Sequence, residues 1–144
     1  MAGKRVEIEK YMEHNNIDFM VIQETHIGDE VRESFKRSKF TWFLSGGALE
    51  QKGEQCHHGV GIIIRNEMRS AVHDVETISE RFMTLTLNGK IPITIVAAYA
   101  PTAIATAEEK DTFYDKLAEV SKSHKKERNN VHRFGHECKI TTWR

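Results

Sequence analysis

Net charge, cysteine and long apolar runs are all scarce in this chain. Across 144 residues, 21 Lys and Arg balance 21 Asp and Glu. No global field therefore announces a polyanion or a membrane surface. Only two cysteines occur, Cys56 and Cys138, far apart and without a framework pattern. They read as free thiols in a reducing compartment. No apolar run approaches the roughly 20 residues needed to span a bilayer, and the start lacks the apolar segment of a signal peptide. These gaps predict an intracellular protein, nuclear or cytoplasmic, with no membrane partner, and a length that suits one domain with its own core. Charge is uneven locally. From Ser121 onward Lys122, Lys125, Lys126, Arg128, Arg133, Lys139 and Arg144 face only Glu127 and Glu137.

What is present alternates between helical and strand-like patterns, as in an α/β (α+β) protein. Residues from about Lys4 to Asn16 read as a helix, with Ile8, Tyr11 and Met12 at i, i+3 and i+4. A short turn leads into Asp18-Phe19-Met20-Val21-Ile22-Gln23-Glu24-Thr25-His26. Four consecutive apolar residues there predict a strand buried on both faces, followed by a polar quartet where it leaves the sheet. Glu24 is then either a solvated strand end or a residue of a site. Asp29 to Lys39 reads as a second helix, acidic at its start and basic at its end. Phe40 to Leu44 is aromatic and β-prone. His58 to Arg65 reads as another buried strand, whose Gly59 and Gly61 imply a bulge or close approach of backbone or ligand.

Met83, Leu85 and Leu87 alternate with Thr84 and Thr86, and after Asn88-Gly89 Ile91, Ile93 and Ile95 alternate with Thr94 and Val96. This predicts an antiparallel hairpin closed by a type I′ turn. Its second strand runs to Pro101, which ends the ladder. Thr106-Ala107-Glu108-Glu109 fits a capping box opening a helix from about Ala107 to Ser123, with Phe113, Leu117 and Val120 on one face. Residues 124 to 144 lose the periodicity, which predicts a disordered or poorly packed tail.

Several of these segments, in this order, resemble the endonuclease/exonuclease/phosphatase superfamily. Gln23-Glu24-Thr25-His26 is similar to its Gln-Glu-Thr motif. His58-Gly59-Val60-Gly61-Ile62-Ile63-Ile64 is similar to its glycine-rich strand. Ala98-Tyr99-Ala100-Pro101-Thr102 is similar to its Tyr-Ala-Pro segment, and Phe113-Tyr114-Asp115-Lys116-Leu117 to the helix after it. The Gln-Glu-Thr-His and Tyr-Ala-Pro-Thr variants most resemble endonuclease domains of LINE-type (non-LTR) retrotransposons. The resemblance covers about residues 4 to 120. It implies a partial four-layer α/β sandwich with mainly antiparallel sheets, with residues 121–144 a basic or unrelated tail.

The resemblance also implies Mg²⁺- or Mn²⁺-dependent phosphodiester hydrolysis with DNA as partner and no small-molecule cofactor. Glu24 matches the metal-binding glutamate, consistent with an ion held by one or two carboxylates plus substrate phosphate. Tyr99 matches a tyrosine near the scissile phosphate. His26 is either a phosphate contact or a surface imidazole. Thr102 stands where many relatives carry Asn, as a position for nucleic-acid contact.

The pattern is incomplete. No asparagine-bearing strand precedes Gly3, and Gly-Asp-Phe-Asn and Ser-Asp-His do not occur. The chain thus corresponds to about half of the family's domain, lacks its general base, and is expected to be inactive alone. Its sheet is expected to miss its partner and expose an apolar face. Two other readings stay open: a catalytically dead remnant acting as a nucleic-acid or protein binding module, and a fragment of a repair nuclease or phosphatase of the same superfamily. His132, His136 and Cys138, with Cys56-His57-His58, include zinc-type ligands, but no Cys-x-x-Cys accompanies them and the spacing reads as coincidence. The basic tail with Phe134 and Trp143 is a solvated segment, a phosphate-contacting one, or unrelated sequence joined by a frameshift or splice after about Val120.

Overall fold

A computed structural model describes residues 2–27, 31–34, 38–46 and 59–130, with side chains over 4–27, 38–46 and 59–123. The elements run α1 (Ala2–His14), β1 (Phe19–Gln23), β2 (Val31–Ser34), β3 (Phe40–Leu44), β4 (Val60–Arg65), a 3₁₀ turn (Asn66–Ala71), β5 (Val72–Ser79), β6 (Phe82–Leu87), β7 (Ile93–Ala98) and α2 (Ala107–Asn130). The strands form one four-stranded sheet ordered β1-β4-β3-β2 and one three-stranded sheet ordered β5-β6-β7. Every pairing is antiparallel. The fold is α+β with antiparallel sheets.

The two sheets pack face to face. Phe43, Val60, Ile62 and Ile64 from the first meet Val75, Met83, Leu85, Leu87, Ile95 and Ala97 from the second. The expectation of a sheet without a partner is corrected by this contact: β5, β6 and β7 supply the second layer from within the chain. The outer face of the first sheet carries Phe40, Trp42, Leu44 and Ile63 against Met12 and Ile8 of α1. Tyr11, expected on that stripe, is exposed. The Trp42 indole N–H donates to Glu9 Oε1 at 2.9 Å, so the largest buried ring leaves no unmet donor. On the outer side of the second sheet Phe82 stacks on Phe113 of α2, ring centres 4.9 Å apart. Helix, sheet, sheet and helix thus lie in four layers.

Several predicted elements change. β1 has side chains covered on both faces, Val21 between the sheets and Met20 and Ile22 on the side of α1, but it is an edge strand paired only with β4 and is half-buried, not buried. Residues 31–34 of the predicted second helix form β2, antiparallel to β3. That stretch has no apolar period to give a helix a buried face, and the free edge of β3 supplies backbone partners. The rest of that segment falls largely outside the described residues. The hairpin is correct in pairing and wrong in turn. Leu87 pairs with Ile93, so residues 88–92 form a five-residue loop, and Asn88 and Gly89 do not take the positive φ a type I′ turn requires. A two-residue turn would have set Pro92 opposite Leu85, with no amide to donate and the core alternation broken.

The capping box forms as read. The Thr106 amide donates to Glu109 Oε2 at 2.8 Å, and the Glu109 amide donates to Thr106 Oγ1 at 3.2 Å. From there α2 continues past Ser123 to Asn130, through helix-favouring Lys, Glu and Arg. Cys56, His57, His58, His132, Phe134, His136, Cys138 and Trp143 lie outside the described residues.

Ile62 is fully buried between the sheets. Ile62→Ala should lower unfolding free energy by about 2–5 kcal/mol, since the two sheets cannot both collapse onto the space it leaves. Urea denaturation measures this. A loss well below 1 kcal/mol would show that the inter-sheet layer is not closely packed.

Candidate active site

The C-terminal ends of β1 and β7 meet on the same side of the sandwich. Gln23, the last residue of β1, donates its side-chain amide to the Ala98 carbonyl at 2.7 Å. One residue further along each strand, the Tyr99 hydroxyl donates to Glu24 Oε1 at 2.7 Å. Two side chains 75 positions apart, one from each sheet, are thereby joined. Glu24 Oε2 has no hydrogen-bond or ion-pair partner among the described residues.

The backbone leaves β1 in an unusual conformation. Glu24 and His26 have φ of 55° and 51°, a left-handed region that costs a residue with a Cβ about 1–2 kcal/mol. Thr25 between them is buried, its amide donating to the Gly59 carbonyl at 3.3 Å. Glu24 and His26 are left exposed on either side. Gly59 makes room for this. Its own φ is +120°, and a Cβ there would sit 2.2 Å from Thr25 Oγ1. A Cβ on Gly61 would sit 2.4 Å from Leu44 Cδ2. Both glycines thus serve close approach within the chain, the first of them directly behind the site.

Tyr99 is fixed from its other side by Arg81. The Tyr99 amide donates to the Arg81 carbonyl at 2.9 Å, Arg81 Nη1 donates to the Tyr99 carbonyl at 3.2 Å, and the guanidinium carbon lies 5.2 Å from the centre of the phenol ring. The hydrogen bond to Glu24, with burial and the nearby carboxylate charge, raises the Tyr99 phenol above its ordinary value of 10.0, while Arg81 pulls against this. The phenol is thus a donor, not a base, at neutral pH.

Glu24 and Tyr99, the first two residues singled out from sequence, are brought together. His26 is exposed one residue beyond Thr25. Thr102 is exposed in the loop before α2, where its carbonyl accepts the Ala105 amide at 3.1 Å, and its hydroxyl joins neither Glu24 nor Tyr99. Gln23 and Arg81 were missed. Gln23 carries a signal only through its place beside Glu24. Arg81 carries one only once the hairpin register is right, because that register sets it opposite Tyr99.

The arrangement offers one exposed carboxylate with a free oxygen, a phenol that orients it, and a guanidinium behind the phenol. No group of three or more His, Cys, Asp or Glu able to hold a metal occurs among the described residues. No described helix is long and apolar enough to cross a membrane. No protein-family model matches the chain, and no curated protein matches it in sequence.

The raised phenol fixes the sign of a pH effect. The folded state holds Tyr99 protonated more tightly than the unfolded chain does. The stability this contributes is complete below pH 10 and is lost as pH rises through the raised value. The difference in phenolate absorbance between wild type and Tyr99→Phe should titrate above 10, and Glu24→Gln should move it back down. A Tyr99 titration at or below the ordinary value would mean that the contact with Glu24 does not form.

Proposed function

We propose that Glu24 and Tyr99 form the metal-and-phosphate half of a phosphodiesterase site of DNA-endonuclease type, retrotransposon-derived. The observation that carries this reading is the 2.7 Å hydrogen bond from Tyr99 to Glu24, which unites the two residues singled out by the resemblance.

The residues fit Mg²⁺ in one way only. A single carboxylate suits an ion that keeps most of its waters and shares a substrate phosphate, and it cannot form a cage of protein ligands. Glu24 Oε2 would hold it, and a bound Mg²⁺ would supply Lewis-acid stabilisation of charge growing on a phosphate oxygen. The chain's own groups do the rest. Tyr99 holds Glu24 in one rotamer, and the Gln23–Ala98 bond fixes the two strand ends against each other. Arg81 lends positive charge to the approach of a phosphodiester and is anchored through the Tyr99 carbonyl. The activated water that attacks phosphorus needs a proton acceptor. The Ser-Asp-His segment that carries it in the resembling family has no counterpart in this sequence, so the chain alone binds and orients without turning over efficiently.

Two measurements test this. Titration of Mn²⁺ or Mg²⁺ should show weak binding, about millimolar, that Glu24→Ala abolishes. Supercoiled plasmid incubated with the wild-type chain and Mg²⁺ should remain un-nicked above a protein-free blank. Metal binding unchanged by Glu24→Ala would overturn the site. Efficient nicking abolished by Glu24→Ala would keep the site and overturn the inactivity.

A further inference from the structure

The two sheets have four edge strands among the described residues, and they are not built alike. On one side lie β2, whose sequence contains Arg32 and Glu33, and β5, which contains His73, Asp74 and Glu76 and has two register breaks. Charges and bulges are the devices that stop a sheet edge from recruiting another strand. On the opposite side lie β1 and β7, which contact one another across the sandwich. Their sequences, Phe-Met-Val-Ile-Gln and Ile-Thr-Ile-Val-Ala-Ala, hold no charge and no proline, and their registers are continuous. Phe19 and Ile93, at the starts of these strands, are 42% and 52% exposed.

The ladders show which amides this side presents. Arg65 donates to Asp18 at 2.8 Å, and hydrogen-bonded pairs alternate along an antiparallel ladder. Met20 and Ile22 therefore bond to β4, while Phe19, Val21 and Gln23 turn their amides and carbonyls to the open edge. In β7 the Tyr99–Arg81 bond fixes the phase in the same way, so Thr94, Val96 and Ala98 face outward. Only the Ala98 carbonyl is met, by Gln23.

We propose that this side is an interface for a second copy of the chain, formed by antiparallel pairing of β1 with its counterpart about a two-fold axis at Val21. The register is self-complementary. Val21 meets Val21 of the other copy, and Phe19 meets Gln23, so all three outward-facing residues find outward-facing partners. Neither strand carries a charge of its own. The register does set Asp18 opposite Glu24 of the other copy at each exposed end, where Arg65, 3.3 Å from Asp18, offsets the meeting of carboxylates. The chain's formal net charge of +0 sets no long-range barrier between copies. The two four-stranded sheets join into one of eight. The same axis brings the two β7 edges to the same side, so the remaining free edges are the charged ones. The assembly closes as a dimer and does not grow.

Sedimentation velocity of the full chain tests this. The wild type should sediment at twice 16.6 kDa. Phe19→Lys with Ile93→Lys, which give this side the charges the other side already has, should weaken self-association by at least about tenfold. Ile104→Lys, at a loop position 95% exposed, should leave the dimer unchanged. Far-UV circular dichroism checks that the variants fold. A reading free of substitutions is amide exchange at Val21 in the wild type, which should slow as protein concentration rises. A monomeric wild type, a dimer indifferent to Phe19→Lys with Ile93→Lys, open-ended growth, or Val21 exchange independent of concentration would each overturn the proposal.

Discussion

Apolar contact between the two sheets is the constraint on which everything else rests. Phe43, Val60, Ile62 and Ile64 have no other way to leave water, and neither do Met83, Leu85, Leu87 and Ile95. Each such side chain contributes roughly 1.5–3 kcal/mol on burial. Most polar groups caught at the margins are satisfied locally, the buried Thr25 hydroxyl beside the candidate site being an exception. The Ser45 hydroxyl, fully buried, donates to the Val60 carbonyl at 3.0 Å and accepts the Val60 amide at 2.8 Å. Thr41 Oγ1 donates to Asn66 Oδ1 at 2.7 Å. Docking of the sheets fixes the relative position of β1 and β7, and that position puts Tyr99 within reach of Glu24.

The candidate site carries backbone strain where the core carries none. Two residues with side chains take left-handed φ in succession around a buried threonine, which is a shape that extended backbone does not reach by itself. Strain of this kind persists only when neighbours over-determine it. Here the Thr25–Gly59 bond, the vacancy left by a missing Cβ at Gly59, and the Gln23–Ala98 bond hold it. Glu24 is pushed outward with one oxygen fixed and the other open. A carboxylate on a regular strand would alternate into one face or the other and would not stand at the rim.

Residues with a strong period of their own were legible in the sequence. α1, β3, β4 and α2 follow from apolar spacing, and the capping box at Thr106 follows from residue type alone. β5 was not legible because its side chains are mostly polar and only Val75 is buried among them, so it has no apolar run. β1 was read as buried and is half-buried, because four apolar residues look the same whether a strand has one neighbour or two. Its two faces are covered, one by the other sheet and one by α1, and it is its unpaired edge that leaves it half-buried. The Asn88-Gly89 signal was real as a turn signal and was outvoted by Pro92, whose missing amide excludes the tighter register. That error of three positions hid Arg81, since the shorter turn would have placed Ile78 opposite Tyr99. Glu24 and Tyr99 were legible only as motif members, and their contact required the docking of two sheets.

The Glu24–Tyr99 bond spans most of the chain, and this has a kinetic consequence. A contact between residues 75 apart demands closure of a long loop before it returns any free energy, so it belongs to the last stage of assembly, after α2 and the β6–β7 hairpin have formed from neighbours. The site has no local precursor. It exists only in molecules whose sheets have already docked, and it opens first when they begin to part. Its phenol thus reports on the completeness of the whole sandwich as much as on its own surroundings.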